Sequence, residues 1–272
     1  MILLGLVQGL TEFLPVSSSG HLVLADHLIG VSEFGVREVV VLHVGTLVAM
    51  LHFFRRELLF LAGLRERPSE YEEESFDRRK LVLFVGAGTI LTVGLALIGR
   101  EAVSAAMDSL LSVGLGLFLT ATVLWWTARI ARKQEGRTIG SMKLSDALIV
   151  GLAQGVAVWP GVSRSGITIA AGLMCGLRQD QAARFSFLLA FPVILGAAAE
   201  EMLSASGGAH AGDLPAVSMT ALLAGAAAAA VSGWIALRIL FGMFRRTTLV
   251  GFSYYCMGAG VLAILLHFTT GT

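Results

Sequence analysis

The residues best suited to chemistry in this sequence lie in two short polar stretches that interrupt apolar segments. One stretch, WPGVSRSGIT at 159–168, carries Arg164, and the nearest basic residues on either side are Lys143 and Arg178. The planar guanidinium matches the oxygens of a phosphate group. An arginine inside a membrane is costly unless it is paired, so its presence there indicates a functional site. We interpret Arg164 as an anion-binding residue. The alternative is a salt bridge to Glu12 that locks the two stretches together.

Serines accompany Arg164 and recur in the other stretch, and each set stands just before a predicted helix. The amide N–H groups and positive dipole ends of two helix N-termini would then face one central cavity, where glycine lets the backbone approach a ligand. Capping alone would explain one or two of the serines. The residues predicted to bind the anion are Ser17, Ser19, Ser163, Arg164, Ser165, Gly166 and Thr168. Thr168 could instead hydrogen-bond only to its own helix.

The first stretch adds groups that the second lacks. Gln8 and Glu12 are four residues apart and therefore share one helical face. Carboxylate, imidazole and hydroxyl groups beside a bound phosphate are what phosphoryl transfer requires, so the catalytic candidates are Glu12, Ser18 and His21. Alone, the carboxylate or the imidazole would more often be structural. Gln8 and Glu12 could also hold a divalent cation through oxygen ligands, weakly unless phosphate completes the site.

Membrane helices must position these residues. The chain of 272 residues is 56% hydrophobic and 14% charged, whereas soluble domains carry about 25% charged residues. Six apolar runs approach spanning length: 39–54, 81–98, 110–131, 184–203, 217–238 and 249–268. Segments 2–29 and 146–176 are broken by PVSSSG and PGVSRSG, and each arm is too short to span. They predict two re-entrant helical hairpins in an all-α polytopic membrane protein, with two short full spans per segment as the alternative. The charged segment 55–80 predicts a surface helix and a turn.

The sequence repeats itself at a spacing of 146 residues. LGLVQGLTEFLPVSSSGH at 4–21 aligns with VGLAQGVAVWPGVSRSGI at 150–167, with eight identities in 18 positions. We predict one integral membrane domain over 1–272, with repeat one at 1–135 and repeat two at 146–272. Each repeat would contain one re-entrant hairpin and three transmembrane helices. Because that gives an odd number of crossings, the repeats would be inverted, with the site near the midplane.

The distribution of basic residues predicts the orientation. On this topology 17 of the 20 Lys and Arg residues fall on one side of the membrane, which the positive-inside rule makes cytoplasmic. Both termini and the opening of the first hairpin would then face outward. Glu38 and His43, on the next span, are weaker site candidates because packing would explain them equally well.

Two motifs carry a family resemblance. LVQGLTEFLPVSSSGHL and WPGVSRSGIT resemble the two signatures of the bacterial undecaprenyl-diphosphate phosphatase family, the bacitracin-resistance membrane proteins. The similarity continues through LHVGTL at 42–47 and RFSFLLAFPVILGA at 184–197. The resemblance implies hydrolysis of undecaprenyl diphosphate to undecaprenyl phosphate and phosphate, which recycles the lipid carrier for cell-wall synthesis. It implies a location in the bacterial inner membrane.

The resemblance also assigns roles. Its acidic motif falls on Gln8 and Glu12, its serine and histidine on Ser18 and His21, and its phosphate-binding segment on the stretch around Arg164. It implies dependence on Mg²⁺ or Ca²⁺, although Gln8 stands where many members carry Glu, so the site has one carboxylate fewer. Bacitracin would compete for the substrate, a homodimer is an open prediction, and no nucleic acid is expected. Attack by Ser18, by His21 or by water remains open. The main alternative function is a transporter or flippase of a polyprenyl phosphate or another anion, which would use the same midplane site.

Overall fold

The computed structural model describes residues 1–29, 36–66, 77–107, 109–130, 136–206, 217–244 and 249–270. Within these residues the chain is helical apart from connecting turns, a short 3-10 turn at Ile139–Ser141 and one β-bridge between Arg137 and Leu177. The helices are α1 (Ile2–Phe13), α2 (Ser18–Ile29), α3 (Val36–Phe53), α4 (Arg55–Leu61), α5 (Arg78–Met107), α6 (Leu110–Ile130), α7 (Leu144–Val156), α8 (Arg164–Met174), α9 (Gln179–Ser206), α10 (Met219–Met243) and α11 (Val250–Thr270).

All six predicted spans are helices. Among the described residues, α5, α6, α9, α10 and α11 are long and apolar enough to cross a membrane, and α3 with α4 makes a sixth candidate bent by 79°. This confirms a multi-pass, all-helical membrane protein. The helices α5 and α9 extend beyond the predicted runs 81–98 and 184–203. Hydropathy identifies only the apolar middle of a helix, whereas backbone hydrogen bonding continues into its polar ends.

The predicted charged segment 55–80 begins as expected with a helix. Helix α4 covers Arg55–Leu61, and its buried Glu57 pairs with Arg184 of α9. The prediction for 67–76 lies outside the described residues. Helix α4 is therefore fixed to the helical bundle by a buried ion pair.

Both interrupted segments form two short helices separated by a break. Helices α1, α2, α7 and α8 have 12, 12, 13 and 11 residues. At about 1.5 Å per residue none exceeds ~20 Å, less than the hydrocarbon thickness of about 30 Å. Each break contains one residue in the left-handed region, Ser17 (φ 70°) and Gly161 (φ 81°), which reverses the chain. The two-helix hairpins are thus confirmed, and their re-entrant placement in a bilayer stays a prediction.

Close helix packing holds the hairpins against helices of the other half of the chain. Helix α1 lies on α10, where a Cβ at Gly5 would come within 2.2 Å of the Gly225 carbonyl oxygen. Helix α7 lies on α5, where a Cβ at Gly151 would come within 2.8 Å of Gly88 Cα. Small residues permit such close approach. Gly5 and Gly151 are 146 residues apart and therefore occupy equivalent positions in the repeat, whereas their partners Gly225 and Gly88 do not. The inverted relation and the repeat boundaries at 135 and 146 stay predictions.

A buried aromatic cluster fixes the end of α1. Phe13 is fully buried and packs edge-on against Phe187 of α9, with ring centroids 5.8 Å apart. Phe54 and Phe241 extend the cluster toward α3 and α10. Because Phe13 is held in this way, the neighbouring Glu12 has a fixed position at the end of its helix.

Candidate active site

The two breaks meet, as the sequence predicts. Ser165 Oγ donates a 3.0 Å hydrogen bond to the carbonyl oxygen of Leu14. A Cβ on Gly20 would lie 3.2 Å from Gly161 Cα. The N-termini of α2 and α8 are consequently adjacent, although they come from segments 146 residues apart.

The second break is fixed by helix α6. The amide of Ser163 donates to Thr120 Oγ1 at 2.9 Å, and Thr120 in turn donates to the Gly116 carbonyl at 3.0 Å. At Gly161 a Cβ would come within 2.1 Å of the Val113 carbonyl oxygen. Only glycine combines the left-handed conformation with this contact, so the glycine at position 161 is a structural requirement.

Glu12 is the centre of a buried polar network. Its Oε1 accepts a hydrogen bond from Arg164 Nη2 at 2.5 Å. Its Oε2 accepts from Ser18 Oγ at 2.6 Å and from Gln8 Nε2 at 3.0 Å. The side chain of Glu12 is 7% exposed, and His43 Nε2 lies 3.9 Å from Oε2. Glu12 thus connects Gln8 and Ser18 of the first stretch to Arg164 of the second.

Arg164 forms the salt bridge to Glu12 that the sequence offered as an alternative to anion binding. One of its terminal nitrogens is committed to that pair, whereas Nη1 is buried and has no hydrogen-bond partner within the described residues. A guanidinium has five N–H donors. Pairing with Glu12 and binding an anion are therefore compatible, and the anion-binding role stays a prediction.

Two of the serines are helix caps. Ser17 Oγ accepts from the Gly20 amide at 3.3 Å, and Ser163 Oγ accepts from the Gly166 amide at 3.1 Å. These caps satisfy the third amide of α2 and of α8. The first two amides of a helix have no acceptor within it. In α2 and α8 they belong to residues 18, 19, 164 and 165, whereas the amide of Gly166 is used by the cap. Substrate binding at Gly166 stays a prediction.

The last serine of each stretch lies at the same distance from the capping serine. Ser19 Oγ lies 3.3 Å from Ser17 Oγ, and Ser165 Oγ lies 3.3 Å from Ser163 Oγ. Ser19 is partly exposed, whereas Ser165 is buried and bonded to the first break. Their hydroxyls therefore differ in access, and their predicted contact with substrate stays a prediction.

Thr168 makes the local hydrogen bond that the sequence offered as its alternative role. Its Oγ1 donates to the Arg164 carbonyl at 2.7 Å and lies 2.5 Å from Ser186 Oγ in α9. Thr168 and Ser186 are completely buried. Ser186 was missed because a serine inside an apolar run gives no signal of its spatial neighbours. Substrate binding by Thr168 stays a prediction.

His21 lies apart from the Glu12 network. Its Nδ1 is 2.7 Å from the Ser17 carbonyl oxygen, and its Nε2 is 2.6 Å from Tyr255 Oη of α11. No hydrogen bond joins His21 to Glu12 or Ser18 in the part of the chain that the structure describes. Tyr255 was not predicted, because an aromatic residue in an apolar helix suggests packing or an interfacial position.

The predicted cation ligands are oxygen donors. Gln8 Oε1 is buried and has no hydrogen-bond partner among the described residues, and its amide nitrogen contacts the Glu12 carboxylate. Within those residues no group of three or more His, Cys, Asp or Glu side chains could hold a metal. Oxygen donors suit Mg²⁺ or Ca²⁺, which need about six ligands or more, so phosphate oxygens would have to complete the set. The cation stays a prediction.

Known proteins resemble this chain over nearly its whole length. The family model described as bacitracin resistance protein BacA matches residues 1–262. The undecaprenyl-diphosphatase of Syntrophotalea carbinolica is 40% identical over 266 residues, covering 97% of each chain. That of Methanosphaera stadtmanae is 37% identical over 275 residues, covering 97% of this chain and 96% of the relative. That of Rubrobacter xylanophilus is 40% identical over 280 residues, with 97% of each covered.

Proposed function

Because the chain belongs to the bacitracin resistance protein BacA family, we propose that it hydrolyses undecaprenyl diphosphate to undecaprenyl phosphate and phosphate. The reaction would recycle the lipid carrier for cell-wall synthesis. One observation carries the proposal: Glu12 contacts Ser18 at 2.6 Å and Arg164 at 2.5 Å. The residues proposed as nucleophile, base and anion-binding group, which come from two distant segments, are thus joined by hydrogen bonds.

The diphosphate would bind between the N-termini of α2 and α8. Arg164 would offer Nη1, which is buried without a partner among the described residues. The first two amides of each helix would add neutral donors and the positive end of a helix dipole. In a water-poor site these donors stabilise the negative charge on the transferring phosphoryl group more strongly than they would in water.

Ser18 would attack the terminal phosphorus. The Glu12 carboxylate, which already accepts the Ser18 hydroxyl hydrogen bond, would take the proton as the new P–O bond forms. The bond from phosphorus to the bridging oxygen would break, and undecaprenyl phosphate would leave. Water would then attack the phosphoserine: a new P–O bond to the water oxygen would form, the P–Oγ bond would break as Glu12 returns its proton to Ser18 Oγ, and phosphate would leave. His21 makes no hydrogen bond to Ser18 in the described structure and would accept the proton of the attacking water in this second step.

Glu12 and Gln8 would hold a divalent cation, Mg²⁺ or Ca²⁺, which when bound would neutralise charge on the diphosphate. With one carboxylate and one amide, the protein's share of the ligands is small. Affinity for the cation should therefore be weak without substrate and should rise when the diphosphate is present.

We further propose that the protein lies in the bacterial inner membrane with both termini and the site opening outward. The asymmetry of Lys and Arg supports this orientation. Bacitracin, which binds the diphosphate form of the lipid, would compete with the protein for its substrate. A homodimer is also proposed, and cross-linking in membranes tests it. Cysteine labelling from either side of intact cells tests the orientation.

The test is phosphate release from undecaprenyl diphosphate by the purified protein in detergent with Mg²⁺ or Ca²⁺. Arg164→Ala, Ser18→Ala and Glu12→Gln should each lower turnover at least 100-fold. The matched control is Ser218→Ala, which removes the N-terminal cap of α10 but touches none of the network. Thermal melting checks that each variant is folded.

Two outcomes would contradict the proposal. If the wild-type protein releases no phosphate with either cation, hydrolysis is wrong, and vesicle assays for movement of polyprenyl phosphate test the transporter alternative. If folded Ser18→Ala retains turnover, the serine is not the nucleophile, and His21 or water attacks the phosphorus. Acid-quenched protein that carries phosphate on Ser18 would support the covalent step.

A further inference from the structure

Tyr255 supplies the second hydrogen bond of His21. The phenolic oxygen lies 2.6 Å from His21 Nε2, and the two rings are stacked with centroids 5.5 Å apart and an angle of 6° between planes. Tyr255 belongs to α11, and His21 to α2. The histidine is thus held by a residue from the opposite end of the chain.

The hydrogen bonds define the tautomer of a neutral His21. A carbonyl oxygen only accepts hydrogen bonds, so Nδ1, at 2.7 Å from the Ser17 carbonyl, carries the ring proton. Nε2 then holds the lone pair and must accept the hydrogen bond from the Tyr255 hydroxyl. Nδ1 is therefore a hydrogen-bond donor and Nε2 an acceptor, and the stacked phenol fixes the plane of the imidazole.

We propose that Tyr255 is a positioning residue for His21 and carries the protons that reach Nε2. This proposal rests on the proposed function, in which His21 serves the attacking water. A proton released by that water, directly or through another water, bonds to Oη while the Oη proton passes to Nε2. One O–H bond forms and one breaks on the phenol, which stays neutral, and the imidazole becomes imidazolium.

The exposure of the two residues fits this arrangement. Tyr255 is 51% exposed, whereas His21 is only partly exposed, and its Nε2 is covered by the phenol hydroxyl. A hydroxyl both donates and accepts. The same oxygen can therefore accept a hydrogen bond from water while it donates to Nε2, and the pair persists when Nε2 is protonated because Oη then accepts.

The adjacent Tyr254 provides a matched control. It lies on the same helix and is 61% exposed, and its hydroxyl has no hydrogen bond among the residues described. Tyr254→Phe and Tyr255→Phe each delete one phenolic oxygen and keep the ring. Only the second removes the bond to His21, while the ring that stacks on the imidazole remains.

The first experiment is steady-state hydrolysis of undecaprenyl diphosphate by wild type, Tyr254→Phe, Tyr255→Phe, His21→Ala and the double variant His21→Ala/Tyr255→Phe. Tyr255→Phe should lower kcat about 5- to 30-fold with KM unchanged, and Tyr254→Phe should match wild type. In the His21→Ala background, Tyr255→Phe should change kcat less than about twofold, because the hydroxyl acts only through the imidazole. Thermal melting confirms that the variants are folded.

Three results would overturn the proposal: full activity in Tyr255→Phe, a loss confined to KM, or the same fold-loss with and without His21. Wild-type turnover is the separate test of the proposed function. If wild type is inactive, nitrogen NMR of ¹⁵N-histidine-labelled protein still tests the contact, since Tyr255→Phe should move the Nε2 resonance of His21 and Tyr254→Phe should not. An unmoved resonance would refute the hydrogen bond itself.

Discussion

Replacing Arg164 by methionine removes the charge that pairs with Glu12 and keeps a side chain of moderate length. The pair is mostly shielded from water, with side chains 17% and 7% exposed. Removing one partner of a buried ion pair costs about 3–5 kcal/mol because the other charge stays buried without compensation. Glu12 keeps its hydrogen bonds from Ser18 and Gln8. We therefore expect a loss at the lower end, about 3 kcal/mol.

That loss corresponds to a melting temperature about 6–12 °C lower for a chain of this size. Adding Glu12→Gln to Arg164→Met should recover at least half of it, since no unpaired charge remains. Phosphate release should be lost in both variants. The assays are thermal melting in detergent and phosphate release from undecaprenyl diphosphate. Together they separate the structural part of the arginine's role from its part in turnover.

The control pair is Arg100 and Glu200, 3.4 Å apart with side chains 72% and 61% exposed. Arg100→Met should cost no more than about 1 kcal/mol and leave turnover unchanged. The reasoning would be refuted if Arg164→Met melted like wild type, or if the double variant were no more stable than the single one. Retained turnover in Arg164→Met would show that the arginine only joins the hairpins.

Two further changes test the break and the cation ligands. Gly161→Ala should cost about 2 kcal/mol or more, because a Cβ would lie 2.1 Å from the Val113 carbonyl oxygen in a left-handed residue. Gly86→Ala, which meets nothing within 4 Å, should show no loss, and equal melting temperatures for the two would contradict this. Gln8→Glu should lower the half-activating Mg²⁺ or Ca²⁺ concentration about tenfold, since a second carboxylate strengthens an oxygen site. A cation titration of phosphate release with no shift would remove Gln8 from the cation site.

Much of the fold can be predicted from hydropathy and from the helix-breaking residues. The apolar run at 110–131 becomes α6, Leu110–Ile130, within a residue at either end, because a spanning helix must satisfy its backbone internally. The extent of α5 does not follow, since its polar ends have no apolar signature. The bend of 79° between α3 and α4 is also absent from composition.

Some contacts of the candidate site could likewise be predicted from the sequence and others could not. The spacing of Gln8 and Glu12 on one helical turn predicts their contact, which the structure contains at 3.0 Å. The contact of Glu12 with Arg164 was an alternative in the sequence and is a 2.5 Å ion pair in the structure. Tyr255 was not predicted, because nothing local distinguishes it from Tyr254, its neighbour on the same helix.

The sequence by itself determined the class of protein, the two broken segments and the residue types at each break. Apolar length and helix-breaking residues act locally, so they can be read without coordinates. Only the tertiary structure decided that Glu12 bonds to Ser18 and Arg164 while His21 bonds to Tyr255. Those contacts depend on how α1, α2, α8 and α11 pack. A difference of one helical turn in that packing, about 5.4 Å, would separate every pair beyond hydrogen-bond distance.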